Sequence, residues 1–310
     1  MKHRIAMYGF YFGKWPTWIH LYLETLRRNP SIDFYFFTDC DTGIDRPPNV
    51  FFKSTDLTEY VSMASHRLGV PLAANSAVKL CDLRPFVGVI HEELFAGYDF
   101  YGWADSDLLF GDIRSFCTEE LLSRFDVFSS HQVRIAGHFS LFRNNRRNRN
   151  MYKHIYRWRE HLANPEFVGL DEHGITNAYL MTFFDRANEK FNTAFDNFVT
   201  RACSAWRRRR LWLEEQYTTP FVAIPWLDGT INSDQPDTWF FRDGVVSNSR
   251  DVGRRFLYVH FMNFRHSRWR HDGTRAPWEG KEDICTAKIE HMTSGIRIDA
   301  TGIHPLAISG

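Results

Sequence analysis

Two aspartates one residue apart, Asp105 and Asp107, stand at the end of an apolar, aromatic run that begins at Tyr98 and passes through Phe100, Tyr101 and Trp103. Gly111 and Asp112 follow. Burying two carboxylates at the end of such a run is costly unless something compensates them. A divalent cation does so, and hard carboxylate oxygens suit Mg²⁺ or Mn²⁺, which keep open positions for water and substrate phosphates. Asp112 reads as a turn or cap residue. An Asp-x-Asp alone is a common pattern, so its meaning depends on what is placed around it.

Other residues carry chemistry with an alternative beside it. Lys79 and Asp82 lie three apart and share a helical face; they form an ion pair, or face a cleft with Lys79 toward phosphate and Asp82 toward a sugar hydroxyl. Asp171 and Glu172 open a helical stretch, as N-terminal dipole partners or as the source of a general base. Arg207 to Arg210, between Trp206 and Trp212, are a solvated face or a peripheral membrane contact for anionic lipid or a lipid pyrophosphate.

The elements that must position these residues alternate. Ile5 to Phe12 reads as a strand, and Gly13 allows a tight turn. Trp15 to Arg28 reads as a helix, with Pro16 in its first turn. Ile32 to Thr38 and Val50 to Lys53 are strands, the first ending in Asp39. Ser54 or Thr55 caps a helix that Gly69 ends. A helix ending near Asp82 and a second from Pro85 to Phe95 precede the Asp-x-Asp strand. Ile113 to Phe125 is helical, Asp126 to Ser130 and Gly137 to Asn144 are strands, and Asn145 to Leu162 is one basic, aromatic helix. Ile175 to Asn188 is helical. Asp243-Gly244 is a hairpin signal, and Arg255 to Phe261 is an apolar strand. From Gly273 onward little regular structure is expected beyond a helix near Ile284 to His291.

Strands alternating with helices predict an α/β fold with a mostly parallel central sheet, flanking helices and a variable C-terminal part. Such sheets take ligands at the carboxyl ends of their strands. The turn Phe10, Tyr11, Phe12, Gly13 and the residue Asp39 lie there, where a nucleotide is expected.

At 310 residues, 44% apolar and 16% aromatic, the chain has enough apolar material for a sizeable core. A net charge of +1 gives no general electrostatic case for nucleic acid. The cysteines Cys40, Cys81, Cys117, Cys203 and Cys285 are odd in number and scattered, with no Cys-x-x-Cys pair. Free thiols in a reducing compartment follow. No apolar stretch approaches the ~18 residues of a membrane span. A cytoplasmic protein, peripheral on the inner face of a membrane if the arginine run binds lipid, is the expectation. Oligomeric state is not legible.

Taken together these pieces resemble the GT-A-fold glycosyltransferases that build bacterial polysaccharide, including lipopolysaccharide. The resemblance covers roughly residues 1 to 270, most firmly 75 to 145. It implies a Rossmann-like nucleotide and metal half over 1–130 and an acceptor half with a late metal ligand over 131–270. Residues 271–310 form an extension on the same domain. It implies Mn²⁺ or Mg²⁺ held by Asp105, Asp107 and a late histidine, His260, on the diphosphate of a nucleotide sugar, with UDP as the expected nucleotide. Arg265 or His266 falls at the basic position on the phosphates, with Trp269 close behind. Lys79, Asp82 and Arg84 match the segment that touches donor sugar and phosphate, although Cys81 stands where the family usually has Ser. Gly137 is placed with the donor contacts, and His138 at the donor sugar or the acceptor. The implied activity is sugar transfer to a glycan or lipid-linked acceptor. An inverting enzyme needs a general base, from Asp171 or Glu172; a retaining one does not. A neutral imidazole at His260 is available above a pKa near ~6.5.

Two other classes fit less well. A haloacid-dehalogenase-like phosphatase needs Thr or Val two residues after the second aspartate, where Leu109 stands. A catalytically degenerate carbohydrate-binding protein has no use for an intact Asp105, Asp107 and His260.

Overall fold

A computed structural model describes residues 2–132, 134–180, 209–216, 238–261, 279–299 and 301–306. The chain is mixed α/β. Its strands are β1 (Ile5–Tyr11), β2 (Ile32–Thr38), β3 (Val50–Ser54), β4 (Phe100–Ala104), β5 (Leu108–Phe110), β6 (Val127–Ser129), β7 (Phe139–Arg143) and β8 (Leu211–Leu213), followed by β9 (Thr238–Arg242), β10 (Val245–Asn248), β11 (Tyr258–His260), β12 (Ile296–Asp299) and β13 (Gly302–Pro305). A seven-stranded sheet has the order β3-β2-β1-β4-β7-β6-β8. It is mostly parallel: β1 with β4, β2 with β3 and β6 with β8 are parallel, and β6 with β7 is antiparallel. Among the described residues no helix is long and apolar enough to cross a membrane. The chain divides into two compact units, each drawn from three separated segments.

The first unit comprises Met1–Tyr8, Thr55–Trp103 and Glu119–Glu214. Its central strand β4 is buried along its whole length, which suits a run without polar alternation. Gly102 is required there, because a Cβ would collide with the Ser140 carbonyl oxygen. Helix α2 (Leu57–Leu68) is capped by Asp56, one or two residues later than expected. Asp56 accepts the Glu59 N–H at 2.8 Å while the Glu59 carboxylate accepts the Asp56 N–H, a reciprocal pair that Ser54 and Thr55 cannot form with their own third residues.

Two expected helices in this unit are broken. Ala77–Phe86 is a 3-10 stretch running through Pro85, and four-residue helices Val87–Ile90 and Glu92–Phe95 follow it. The tighter winding places Lys79, Asp82 and Arg84 all in the interior. The basic segment after Asn145 divides into Arg146–Arg149, a 3-10 turn Met151–His154 and Trp158–Ala163. The interruption at Ile155 and Arg157, the latter at φ 49°, lets Tyr152 and Trp158 both pack on Phe86, at 4.8 and 5.6 Å between ring centroids.

The second unit comprises Gly9–Ser54, Ala104–Thr118 and Glu215–Gly310. Helix α1 (Ile19–Arg27) buries Leu21, Tyr22, Leu23 and Leu26. It starts four residues later than expected because the tryptophans before it are tied elsewhere. Trp15 Nε1 donates to the Asp41 carbonyl at 2.7 Å, and Trp18 Nε1 to the Ser106 carbonyl at 3.0 Å. An antiparallel four-stranded sheet has the order β10-β9-β12-β13. The turn between β9 and β10 is the expected Asp243-Gly244, both residues at positive φ, 45° and 80°. The tail is more regular than expected: β12 pairs with β9 and with β13, while in place of the helix expected near Ile284 to His291 there are a 3-10 turn Glu282–Ile284 and a short helix His291–Ser294 before β12.

Candidate functional site

The second unit brings the Asp-x-Asp and the late histidine together. Strand β11 pairs antiparallel with β5 so that His260 lies opposite Leu108, the residue after Asp107. The Phe261 N–H donates to the Asp107 carbonyl at 3.2 Å and extends the ladder by one bond. One ligand atom from each of Asp105, Asp107 and His260 falls within 4.8 Å of the others. His260 Nε2 is 3.4 Å from Asp107 Oδ1, in side chains 6% and 15% exposed. Asp107 Oδ1 is buried and accepts no hydrogen bond among the described residues. An unsatisfied buried carboxylate oxygen is expensive, and a cation meets that cost. Two carboxylates and an imidazole form a donor set that suits Mn²⁺ or Mg²⁺, with positions left for other ligands. The residues present therefore fit the metal that the sequence implied.

The loop holding the aspartates is pinned by the Trp18 bond to Ser106, and Trp18 meets Phe261 edge-on at 5.2 Å. Two tyrosines feel the aspartates. The hydroxyl of Tyr22 is held well above the usual phenol range by burial, then by Asp105 and Asp107. That of Tyr11 is raised by burial, then by Cys40 and Asp107. Both stay protonated and neutral beside the carboxylates.

The expected nucleotide residues gather around the turn after β1. Asp39 Oδ1 accepts the Gly13 N–H at 2.7 Å, with Gly13 at φ 96°. The Cys40 thiol donates to the Gly13 carbonyl at 3.1 Å. Asp39 is exposed, and Phe10, Tyr11 and Phe12 are half-buried. Tyr11 stacks on Trp15 at 5.3 Å, and Trp15 lies 5.6 Å from Phe52. The sequence pattern marks Trp15, Trp18 and Tyr22 only as helix residues. The signal that could have found them is the density of tryptophan just after a strand-ending glycine.

The first unit holds the other candidates. Lys79 and Asp82 form an ion pair at 2.9 Å in side chains 1% and 0% exposed. Lys79 Nζ also donates to the carbonyls of His161 and Glu166, and Asp82 accepts the N–H groups of Val168 and Leu170. The three ammonium protons are thus taken up within the unit. The pair faces neither surface nor cleft, the two expected alternatives; it is a buried clamp on the segment 161–170. Arg84 Nη1 donates to the Gly137 carbonyl at 2.6 Å and to Asp171 Oδ2 at 2.8 Å. The Gly137 N–H donates to Glu172 Oε1 at 3.2 Å. A Cβ at Gly137 would come within 2.8 Å of Asp171 Oδ2, so glycine is needed for this approach. His138 is buried, with Nε2 3.4 Å from Ser130 Oγ. Asp171, Glu172, His138, Arg84 and Gly137 therefore come together, as do Lys79 and Asp82. His131 and Arg134, which join the first of these groups, were not anticipated, since they sit in a loop with no periodic pattern. Arg265, His266 and Trp269, and Arg207 and Arg208, lie outside the described residues.

Residues 7–276 match the family of unknown function DUF6625, and the chain belongs to that family. Among curated proteins none matches. Three solved structures are similar in part. One is a glycosyltransferase involved in glycosylation of the major capsid of PBCV-1, at 13% identity and TM-score 0.34 over 69% of this chain and 82% of that one. Another is the galactosyltransferase LgtC in complex with donor and acceptor sugar analogues, at 12% identity and TM-score 0.38 over 92% of this chain and 98% of that one. The third is mouse xyloside xylosyltransferase 1, at 8% identity and TM-score 0.32 over 69% and 87%. Likenesses at these scores say nothing of activity.

Proposed function

We propose that the chain is a metal-dependent glycosyltransferase of GT-A type. It moves a sugar from a nucleotide sugar, with UDP as the favoured nucleotide, to a glycan or lipid-linked saccharide of the kind used in surface polysaccharide synthesis. The observation that carries this reading is the meeting of Asp105, Asp107 and His260 within 4.8 Å, beside a turn at which the half-buried Tyr11 and the exposed Asp39 lie.

In this reading Asp105, Asp107 and His260 hold Mn²⁺ or Mg²⁺. The ion, when bound, neutralises charge on the departing nucleoside diphosphate. Tyr11 and Trp15 offer ring faces to a base. Asp39 keeps one oxygen on Gly13 and has the other to accept from a base or ribose. Arg265 or His266 is the proposed basic partner of the phosphates. Arg84 and Gly137 are proposed as contacts to the donor sugar, and Lys79 and Asp82 support the wall that carries them. Glu172, which is more exposed than Asp171 and is not tied to Arg84, is the better candidate for a base toward an acceptor hydroxyl. His138 is proposed to orient the sugar or acceptor.

The test is a panel of nucleotide sugars and nucleoside diphosphates, screened for thermal stabilisation with and without Mn²⁺, and for transfer or slow hydrolysis. A shift that needs both nucleotide and metal is expected, and it should vanish in Asp107→Ala. No metal-linked response to any nucleotide would sink the reading.

A further inference from the structure

In the first unit, Arg134 is a buried cation surrounded by groups that are also metal ligands. Its Nη2 lies 3.1 Å from His131 Nε2, and its Nη1 pairs with Glu172 Oε2 at 3.2 Å. A guanidinium only donates, so His131 Nε2 presents its lone pair and Nδ1 carries the proton. That tautomer is the one that binds a metal through Nε2. His138 stands edge-on to His131, with ring centroids 5.3 Å apart. One ligand atom from each of His131, His138 and Glu172 lies within 4.8 Å of the others.

The carboxylate is fixed by a second contact. Glu172 Oε1 accepts the Gly137 N–H, which leaves Oε2 turned to the guanidinium. A Cβ at Gly137 would stand 2.9 Å from Glu172 Cγ, so the backbone approaches as closely as glycine allows. Outer contacts of this kind orient metal ligands. Two imidazoles and one carboxylate differ in character from the oxygen-rich set at Asp105 and Asp107, and they favour Zn²⁺ and similar ions over Mg²⁺ or Mn²⁺.

We propose that His131, His138 and Glu172 form a second divalent-metal site of Zn²⁺ type, in which Arg134 serves as an internal cation that the metal displaces. Zinc bound here engages His138 and Glu172 and inhibits any chemistry they perform; that last clause rests on the transferase reading, and the site itself does not.

The full chain carrying Asp107→Asn, which disarms the other cluster, is titrated calorimetrically with ZnCl₂ and with MnCl₂. One equivalent of Zn²⁺ should bind and Mn²⁺ should not compete. Adding Arg134→Gln should tighten zinc by about tenfold, the scale on which neighbouring groups tune metal sites. His131→Asn with His138→Asn should abolish binding. The proposal is overturned if the Asp107→Asn chain binds no zinc, if zinc survives loss of both histidines, or if Arg134→Gln leaves the affinity unchanged. Should the double histidine variant lose its circular dichroism, Co²⁺ replaces the test. Visible bands of nitrogen-ligated cobalt are expected in the Asp107→Asn chain and should be lost with Glu172→Gln, and bands that persist overturn the assignment. None of these readouts needs sugar transfer, so a chain that binds zinc but transfers nothing keeps the site and refutes only the transferase.

Discussion

The Asp105, Asp107, His260 cluster of the second unit and the His131, His138, Glu172 cluster of the first unit each bring three ligand atoms within 4.8 Å of one another. They differ in what lies among them. Arg134 already supplies a cation to His131 and Glu172. Among the described residues no Lys or Arg forms an ion pair with Asp107, whose Oδ1 accepts no hydrogen bond. Proximity of ligand atoms alone does not say how a metal would be taken up. The charge balance does: at Asp107 an external ion would meet a cost that the buried Oδ1 already carries, whereas Zn²⁺ at the other cluster must first displace Arg134.

The largest effect that can break this contrast is at Asp107. Asp107→Ala should lower metal-dependent transfer roughly 10³-fold, with secondary structure intact. Glu172→Gln should leave the Mn²⁺-dependent thermal shift in place. If both substitutions abolish that shift, the two clusters are not distinct in the way the charge balance says. Removing metal with a chelator should mimic Asp107→Ala and be reversed by Mn²⁺.

Lys79→Met tests whether a buried ion pair behaves as structure alone. Leaving Asp82 in the interior without its ammonium should destabilise the fold by about 3 kcal/mol in urea melts, while the Mn²⁺ affinity of the folded fraction stays unchanged. A weakened metal response in the folded protein would return Lys79 to the donor site.

His91 calibrates a buried imidazole with no proposed ligand role. Its Nε2 is 2.9 Å from the Tyr60 hydroxyl, which is 2.7 Å from that of Tyr8. Burial, then the Arg67 charge, lowers its pKa from 6.5 to about 3. The neutral form is the folded form, so its stabilisation is complete above pH 6.5 and is lost as pH falls toward 3, by roughly 1.4 kcal/mol per unit. Unfolding free energies at pH 7 and pH 5 should therefore differ by about 2 kcal/mol more in wild type than in His91→Gln. An equal difference in both would remove His91 from the acid response.

The smallest effect belongs to His260. His260→Gln should weaken Mn²⁺ by about tenfold and leave Zn²⁺ at the other cluster untouched. Equal losses of both metals would mean that the substitution disturbs more than one ligand.

What the sequence made legible was local. Asp105 and Asp107 at the end of an aromatic strand, the Asp243-Gly244 turn and the capping role of Asp112 each depend on a few adjacent residues, and the structure places all of them as read. His260 entered only through a family resemblance, since nothing around it states which strand it will pair with. Lys79 and Asp82 show why burial was not legible, because an i, i+3 pair has the same spacing on a surface as in a core. The basic helix after Asn145 failed at Ile155 and Arg157, where packing of Tyr152 and Trp158 on one phenylalanine outweighs helix propensity. The strands of the tail were missed because Ile296, Arg297, Ile298 and Asp299 alternate for only four residues, too short a run to stand out.

The pairing of β5 with β11 has a consequence for how the protein matures. Leu108–Phe110 leave a ribosome about 150 residues before the strand that covers them, so in the proposed metal site the two aspartates wait for their histidine while the intervening chain is made. Contacts of such high sequence separation form late. In the proposed metal site, forms ending before Tyr258 should therefore bind Mn²⁺ more weakly than the His260→Gln chain does, because they lack the covering strand as well as the histidine.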